Sequence, residues 1–120
     1  MKRVLRIAVI AASMISVAEA AGPFDGNWTG ETPAIEGCGI WKFHLTIASG
    51  TVTGYVDGQS HGRRATGVVQ NGDVAPNGAA QIVWTLNDRL AGKFRFAGNA
   101  MTGQFTGPCG EASVTGRRTR

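Results

Sequence analysis

A period of two, punctuated by glycine, limits this chain more than any other feature. Trp41, Phe43, Leu45 and Ile47 alternate with Lys42, His44 and Thr46, the signature of a strand with one buried and one wet face. The same alternation returns in Val52/Gly54/Val56, Ala65/Gly67/Val69, Ile82/Trp84/Leu86, Leu90/Gly92/Phe94/Phe96 and Met101/Gly103/Phe105, and Val114 and Gly116 close the series. Turn residues separate the runs: Ser49-Gly50, the polar stretch from Asp57 to Gly62, Asn71-Gly72, Pro76-Asn77-Gly78, Asn87-Asp88 and Gly98-Asn99. The reading is eight strands, at 26–32, 40–49, 51–57, 63–70, 79–87, 89–97, 100–106 and 111–118. With 18 glycines spread along the chain, a coiled coil is excluded. A hydrophobic share of 42% against a net charge of only +4 argues against wholesale disorder.

Glycine inside a strand costs propensity and needs a reason. Here it sits in an apolar-x-Gly-x-apolar repeat: Val52 to Val56, Leu90 to Phe94 and Met101 to Phe105. Each of these glycines falls on inward parity. Sharp coiling of a small barrel is one reason, and room for a bulky ring opposite is another.

The two cysteines, Cys38 and Cys109, decide whether the sheet closes. With the strands lettered A to H, Cys38 falls in the A–B loop and Cys109 in the G–H loop, at the same end of the sheet. In an open meander those loops lie ~29 Å apart at ~4.8 Å per strand. A disulfide needs Cα atoms within ~7 Å. Only pairing of the last strand with the first allows the bond. The fold expected is an all-β, closed eight-stranded antiparallel up-and-down barrel with one disulfide. Closing so long a loop contributes ~4 kcal/mol in the chain-entropy model.

Residues 1–20 are read as a signal peptide, and 21–120 as one barrel domain. Lys2, Arg3 and Arg6 precede the apolar run from Ile7 to Ala18, and Ala18-Glu19-Ala20 supplies the small-x-small cleavage pattern. The run is shorter than the ~20 residues of a membrane span. The expected destination is the periplasm or the exterior, where one disulfide is at home. Removing residues 1–20 takes away Lys2, Arg3, Arg6 and Glu19, so 12 basic and 8 acidic residues become 9 and 7. Three of those nine are Arg117, Arg118 and Arg120 at the end of the chain. Arg63-Arg64 and Lys93/Arg95 form no basic stripe, so nucleic acid is not an expected partner.

Some of these residues resemble the calycin superfamily, and within it the avidin-like barrels more than the lipocalins. Gly26-Asn27-Trp28 resembles the Gly-x-Trp of the first calycin strand. Arg117 or Arg118 stands where those families pack an arginine over that tryptophan. Ile82-Val83-Trp84 and Leu90-Ala91-Gly92-Lys93-Phe94 resemble a central avidin-like strand pair, and the likeness spans 24–118. The biotin-site residues are missing. Ala91 replaces a tryptophan, Asp88-Arg89-Leu90 replaces a Ser-x-Thr, Gly30 replaces an asparagine, and Arg117-Arg118 replaces an aspartate. The resemblance therefore implies the barrel without the biotin, and no cofactor is expected.

Candidate binding residues are Trp41 and Trp84 on inward faces, with Asp57, His61 and Arg63 at the disulfide-end mouth. Glu36, Asp88, Arg89 and Glu111 join them there by strand order. Inward tryptophans are more often core than platform, and loop charges are more often solvated rim. No motif places a nucleophile beside His61, and there is no C-x-x-C or paired-histidine metal pattern, so neither an enzyme nor a metal site is expected. The expected interior is a filled lower barrel with at most a shallow pocket over Trp41 and Trp84. The function expected is an exported binding module. It would take a small apolar or ring-bearing ligand, or a secreted or envelope protein, at the disulfide-end mouth. The alternatives are an inhibitor of a secreted protease or other hydrolase, docking through Ala21-Gly22-Pro23-Phe24, and a pocketless envelope protein.

Overall fold

A computed structural model of the chain describes residues 22–85 and 90–120. The signal segment 1–20, Ala21, and the expected turn with Leu86, Asn87, Asp88 and Arg89 lie outside the described residues. Eight strands are present: β1 Gly26–Glu31, β2 Lys42–Ala48, β3 Thr51–Ser60, β4 Arg63–Val74, β5 Ala79–Thr85, β6 Leu90–Ala97, β7 Ala100–Gly107 and β8 Gly110–Arg118. Each pairs antiparallel with its chain neighbour, and β1 pairs with β8 through Trp28↔Arg118 to Glu31↔Thr115. The sheet is a closed barrel. The Cys38–Cys109 bond is formed, with Cα atoms 6.1 Å apart.

Two strands run longer than the sequence suggests. The segment from Asp57 to Gly62 is not a loop: β3 continues to Ser60, and only His61 and Gly62 turn the chain. Strand β4 runs through Asn71-Gly72 to Val74. A bulge between Val69 and Asn71 shifts the register, so inward parity passes from Val69 to Gly72 and Val74. Asn71-Gly72 has the form of a hairpin signal, but Gly72 faces Val52 and Ile82 where space is short. Its missing side chain serves packing rather than a turn.

Aromatic rings crowd the described interior. Trp28, Trp41, Trp84, Phe43, Phe96 and Phe105 are each at most 1% exposed. A Cβ at Gly92 or Gly103 would overlap the Phe94 ring, and one at Gly58 would overlap the Trp41 ring. The repeat glycines therefore provide beds for aromatic rings, as tapering barrels require. Gly54 fulfils the other expectation. Its φ is +129° and a Cβ there would strike the His44 carbonyl, so it permits a close backbone approach that no L-residue tolerates. Around Phe43 the rings meet edge to face: Phe105 at 5.0 Å, Trp84 at 5.5 Å and Phe94 at 5.9 Å. Such pairs contribute about 0.5–1.5 kcal/mol each beyond their buried area.

Candidate functional site

The loops of one mouth join β1–β2, β3–β4 and β7–β8, with the disulfide between the first and last of them. The opposite mouth is occupied by the chain's own Gly22–Asp25. Phe24 packs on Phe96 at 6.3 Å, and the Trp28 indole N–H donates to the Phe24 carbonyl at 2.8 Å. The Asp25 carboxylate accepts from the amides of Gly22 and Ser49, both at 2.8 Å, and Gly50 at 3.3 Å. Arg118, one of the two arginines expected near the first-strand tryptophan, lies over Trp28, 4.9 Å from the ring centroid. It donates to the carbonyls of Asp25, Gly98 and Pro23 and to the Asn99 side chain. Partial burial raises the Asp25 pKa, but the amide donors of Ser49, Gly22 and Gly50 and the charge of Arg118 outweigh it. They hold the group below its ordinary value. Gly22-Pro23-Phe24 is thus built into this mouth and is not a free docking arm.

At the disulfide mouth the β1–β2 loop is the main element. Its base is clamped by a two-way exchange: Thr32 N–H to Trp41 O at 3.0 Å, and Trp41 N–H to Thr32 Oγ1 at 3.0 Å. Thr32 is only 2% exposed. Above that clamp, Ile35 and Gly39 exchange backbone bonds at 2.9 and 2.7 Å. His61 N–H reaches across from the β3–β4 turn to Gly37 O at 2.7 Å, and Cys38 is bonded to Cys109. The loop is fixed at its base, waist and tip. It nevertheless presents apolar surface, since Ile40 is 45% exposed, with Pro33 and Ala34 also exposed and Ile35 half-buried.

The candidate residues do not converge. Trp41 and Trp84 are 1% and 0% exposed, and neither lines any of the three principal concavities. Trp41 is covered because Gly58 lets its ring lie flat beneath the stapled loop. His61 and Arg63 share the β3–β4 tip and are exposed, with His61 held at φ +52°. Asp57 is directed outward on the wall, where it accepts from Thr66 Oγ1 at 2.7 Å and stands opposite Lys42. Glu36 and Glu111 are exposed. Among the described residues no group of three His, Cys, Asp or Glu side chains gathers as a metal site.

Trp84 carries one anomaly. Its indole N–H is buried with no hydrogen-bond acceptor among the described residues. Phe105 stands at 86° to the ring, 5.7 Å away, a geometry in which an aromatic face gives only weak compensation. Ile40 is the functional candidate that the pattern of tryptophans concealed. Its signal was present in the sequence, as a large apolar residue on outward parity beside inward Trp41.

No known family model matches the chain, and no curated protein matches it in sequence. Its fold is similar to that of a de novo designed fluorescence-activating β-barrel, at 20% identity and a TM-score of 0.57. The likeness covers 83% of this chain and 97% of the designed one. At that identity the likeness shows the small barrel and nothing of its chemistry. No helix of the described residues is long and apolar enough to cross a membrane.

Proposed function

We propose that this protein is an exported binding module that recognises a protein partner through its disulfide-end loop, with Ile40, Ile35 and Pro33 as the apolar contacts. One observation carries the reading: apolar side chains are exposed on a loop that is locked in place by backbone exchange and a disulfide. Apolar exposure alone is common. Rigidity adds the missing element, because a loop fixed before binding loses little entropy on docking. An interior crowded with aromatic rings supports the same reading, since those rings occupy space a small ligand would need. The disulfide is compatible with an oxidising, extracytoplasmic compartment. The calycin-type Trp28–Arg118 contact supports kinship with that superfamily, whose binding loops lie at a barrel mouth.

Within this reading, inhibition of a secreted hydrolase is served by the stapled loop rather than by the N-terminal segment. The Trp84 N–H, which has no acceptor among the described residues, favours a second reading. A small apolar ligand bearing one acceptor would satisfy that donor, provided the surrounding rings give way.

Site-specific photo-crosslinking tests the loop reading. A benzophenone side chain replacing Ile40 is expected to give one discrete adduct in extract from the source compartment. Excess unlabelled protein would compete it away, and the Ile40→Asp variant would not. No adduct, or the same adduct from a probe at Thr53 on the wall, would contradict the reading.

A further inference from the structure

The outer wall of the barrel carries a second feature, independent of the loop. Two concavities, of about 800 and 500 Å³, lie side by side on the outside and share Thr115. Strand register explains them. Arg95, Thr102, Thr115, Glu31 and Lys42 are directly opposite one another on five consecutive strands, β6, β7, β8, β1 and β2. At ~4.8 Å per strand that row is ~19 Å long. Thr102 and Thr115 are short and make a low stretch between Arg95 on one side and the longer Glu31 and Lys42 on the other, with Asp57 beyond Lys42, which leaves a trough of mixed charge. A parallel row runs Arg117, Thr29, His44, Tyr55 and Val68. His44 and Tyr55 stack at 4.7 Å, and Tyr55 and Val68 remain 41% and 56% exposed.

We infer that this trough is a binding site for an extended acidic oligosaccharide. The groups present match such a chain in kind. Threonine hydroxyls suit sugar hydroxyls, Arg95, Arg117 and Lys42 suit spaced carboxylates, and the exposed Tyr55, stacked on half-buried His44, suits the apolar face of a sugar ring. Glu31 decides between polyanions. It sits between Thr115 and Lys42, with Asp57 beyond Lys42 and Asp73 lining the larger concavity, and these carboxylates accept hydroxyl donors but repel a ligand charged at every unit. A nucleic acid carries one phosphate per residue along its whole length and is disfavoured. A glycan with carboxylates separated by neutral ring edges is not.

The test is an amide-shift titration of the whole domain with a hyaluronan hexasaccharide, in which carboxylates alternate with neutral units, and with cellohexaose and a thymidine oligonucleotide. The hyaluronan hexasaccharide is expected to shift Thr102, Thr115 and Thr29 saturably, and more weakly as salt rises. Arg95→Gln and Lys42→Gln are each expected to weaken it about tenfold, the loss of one charge-assisted hydrogen bond. Tyr55→Ala is expected to weaken it severalfold. All three side chains are exposed, so the fold survives these changes. No saturable shift with the acidic glycan, equal binding of cellohexaose, tighter binding of the oligonucleotide, or shifts confined to residues 33–40 would each overturn the inference.

Discussion

The two mouths of the barrel are closed by different means. Each contains a two-residue turn of nearly identical backbone, Ser49-Gly50 with φ of 52° and 81° and His61-Gly62 with φ of 52° and 82°. At the first mouth the turn is gripped by the Asp25 carboxylate, within a network that Arg118 completes. At the second, the turn donates one backbone bond to Gly37, and the Thr32–Trp41 and Ile35–Gly39 exchanges and the covalent bond from Cys38 to Cys109 provide the other constraints. The first mouth commits its polar groups internally and leaves little to offer a partner. The second is fastened by sulfur and backbone, so its side chains are free to face outward. Rigidity without side-chain commitment is what a recognition loop requires.

If that contrast holds, the largest effect comes from the staple. Replacing both cysteines with alanine is expected to cost about 4 kcal/mol in denaturant titration. It should also accelerate amide exchange across 33–40 while leaving Gly22–Asp25 protected. Equal loosening of both mouths would break the contrast. Arg118→Ala is next, at about 2–3 kcal/mol, because it removes a cation over Trp28 and leaves several carbonyls without their charged donor. Its exchange signature should be the mirror image, confined to the Asp25 mouth.

Gly58→Ala tests the disulfide mouth from beneath. The added Cβ overlaps the Trp41 ring, and overpacking of this kind costs about 1–3 kcal/mol. A neutral result would mean that Trp41 has space to move and that the loop above it is less fixed than described. The smallest effect concerns acid. The Asp25 pKa is depressed in the folded state, so its contribution is complete above the ordinary value of 3.8 and is lost as pH falls through the depressed one. The stability gap between the native protein and Asp25→Asn should therefore be widest above about pH 4 and close on further acidification. A gap that widens in acid would reverse the assigned sign.

Much of the fold was legible because parity and closure are strict constraints. Inward Trp41, Phe43, Phe94 and Phe105 follow from period two, and the Cys38–Cys109 bond could form only in a closed sheet. The extension of β3 to Ser60 was not legible, because Gln59 and Ser60 are polar residues at a rim, where burial no longer drives alternation. The β4 bulge was hidden because Asn-Gly signals a turn in most settings, and only the proximity of Val52 and Ile82 shows why this glycine is in a strand. The site was less legible than the fold. Tryptophans drew attention to the interior, whereas the exposed features, Ile40 and the His44–Tyr55 stack, are individually ordinary residues. They acquire meaning only when register places them together.

The contrast between the mouths depends on the interior being full, and tryptophan fluorescence tests that directly. A panel of apolar, ring-bearing and acceptor-bearing small molecules is titrated against the folded domain, with Trp84→Phe as the control. A solid barrel predicts emission from buried indoles that no member of the panel quenches or shifts. Saturable quenching that disappears in Trp84→Phe would show a ligand entering the ring cluster to reach the buried indole N–H. It would move the proposed binding site from the stapled loop to the interior.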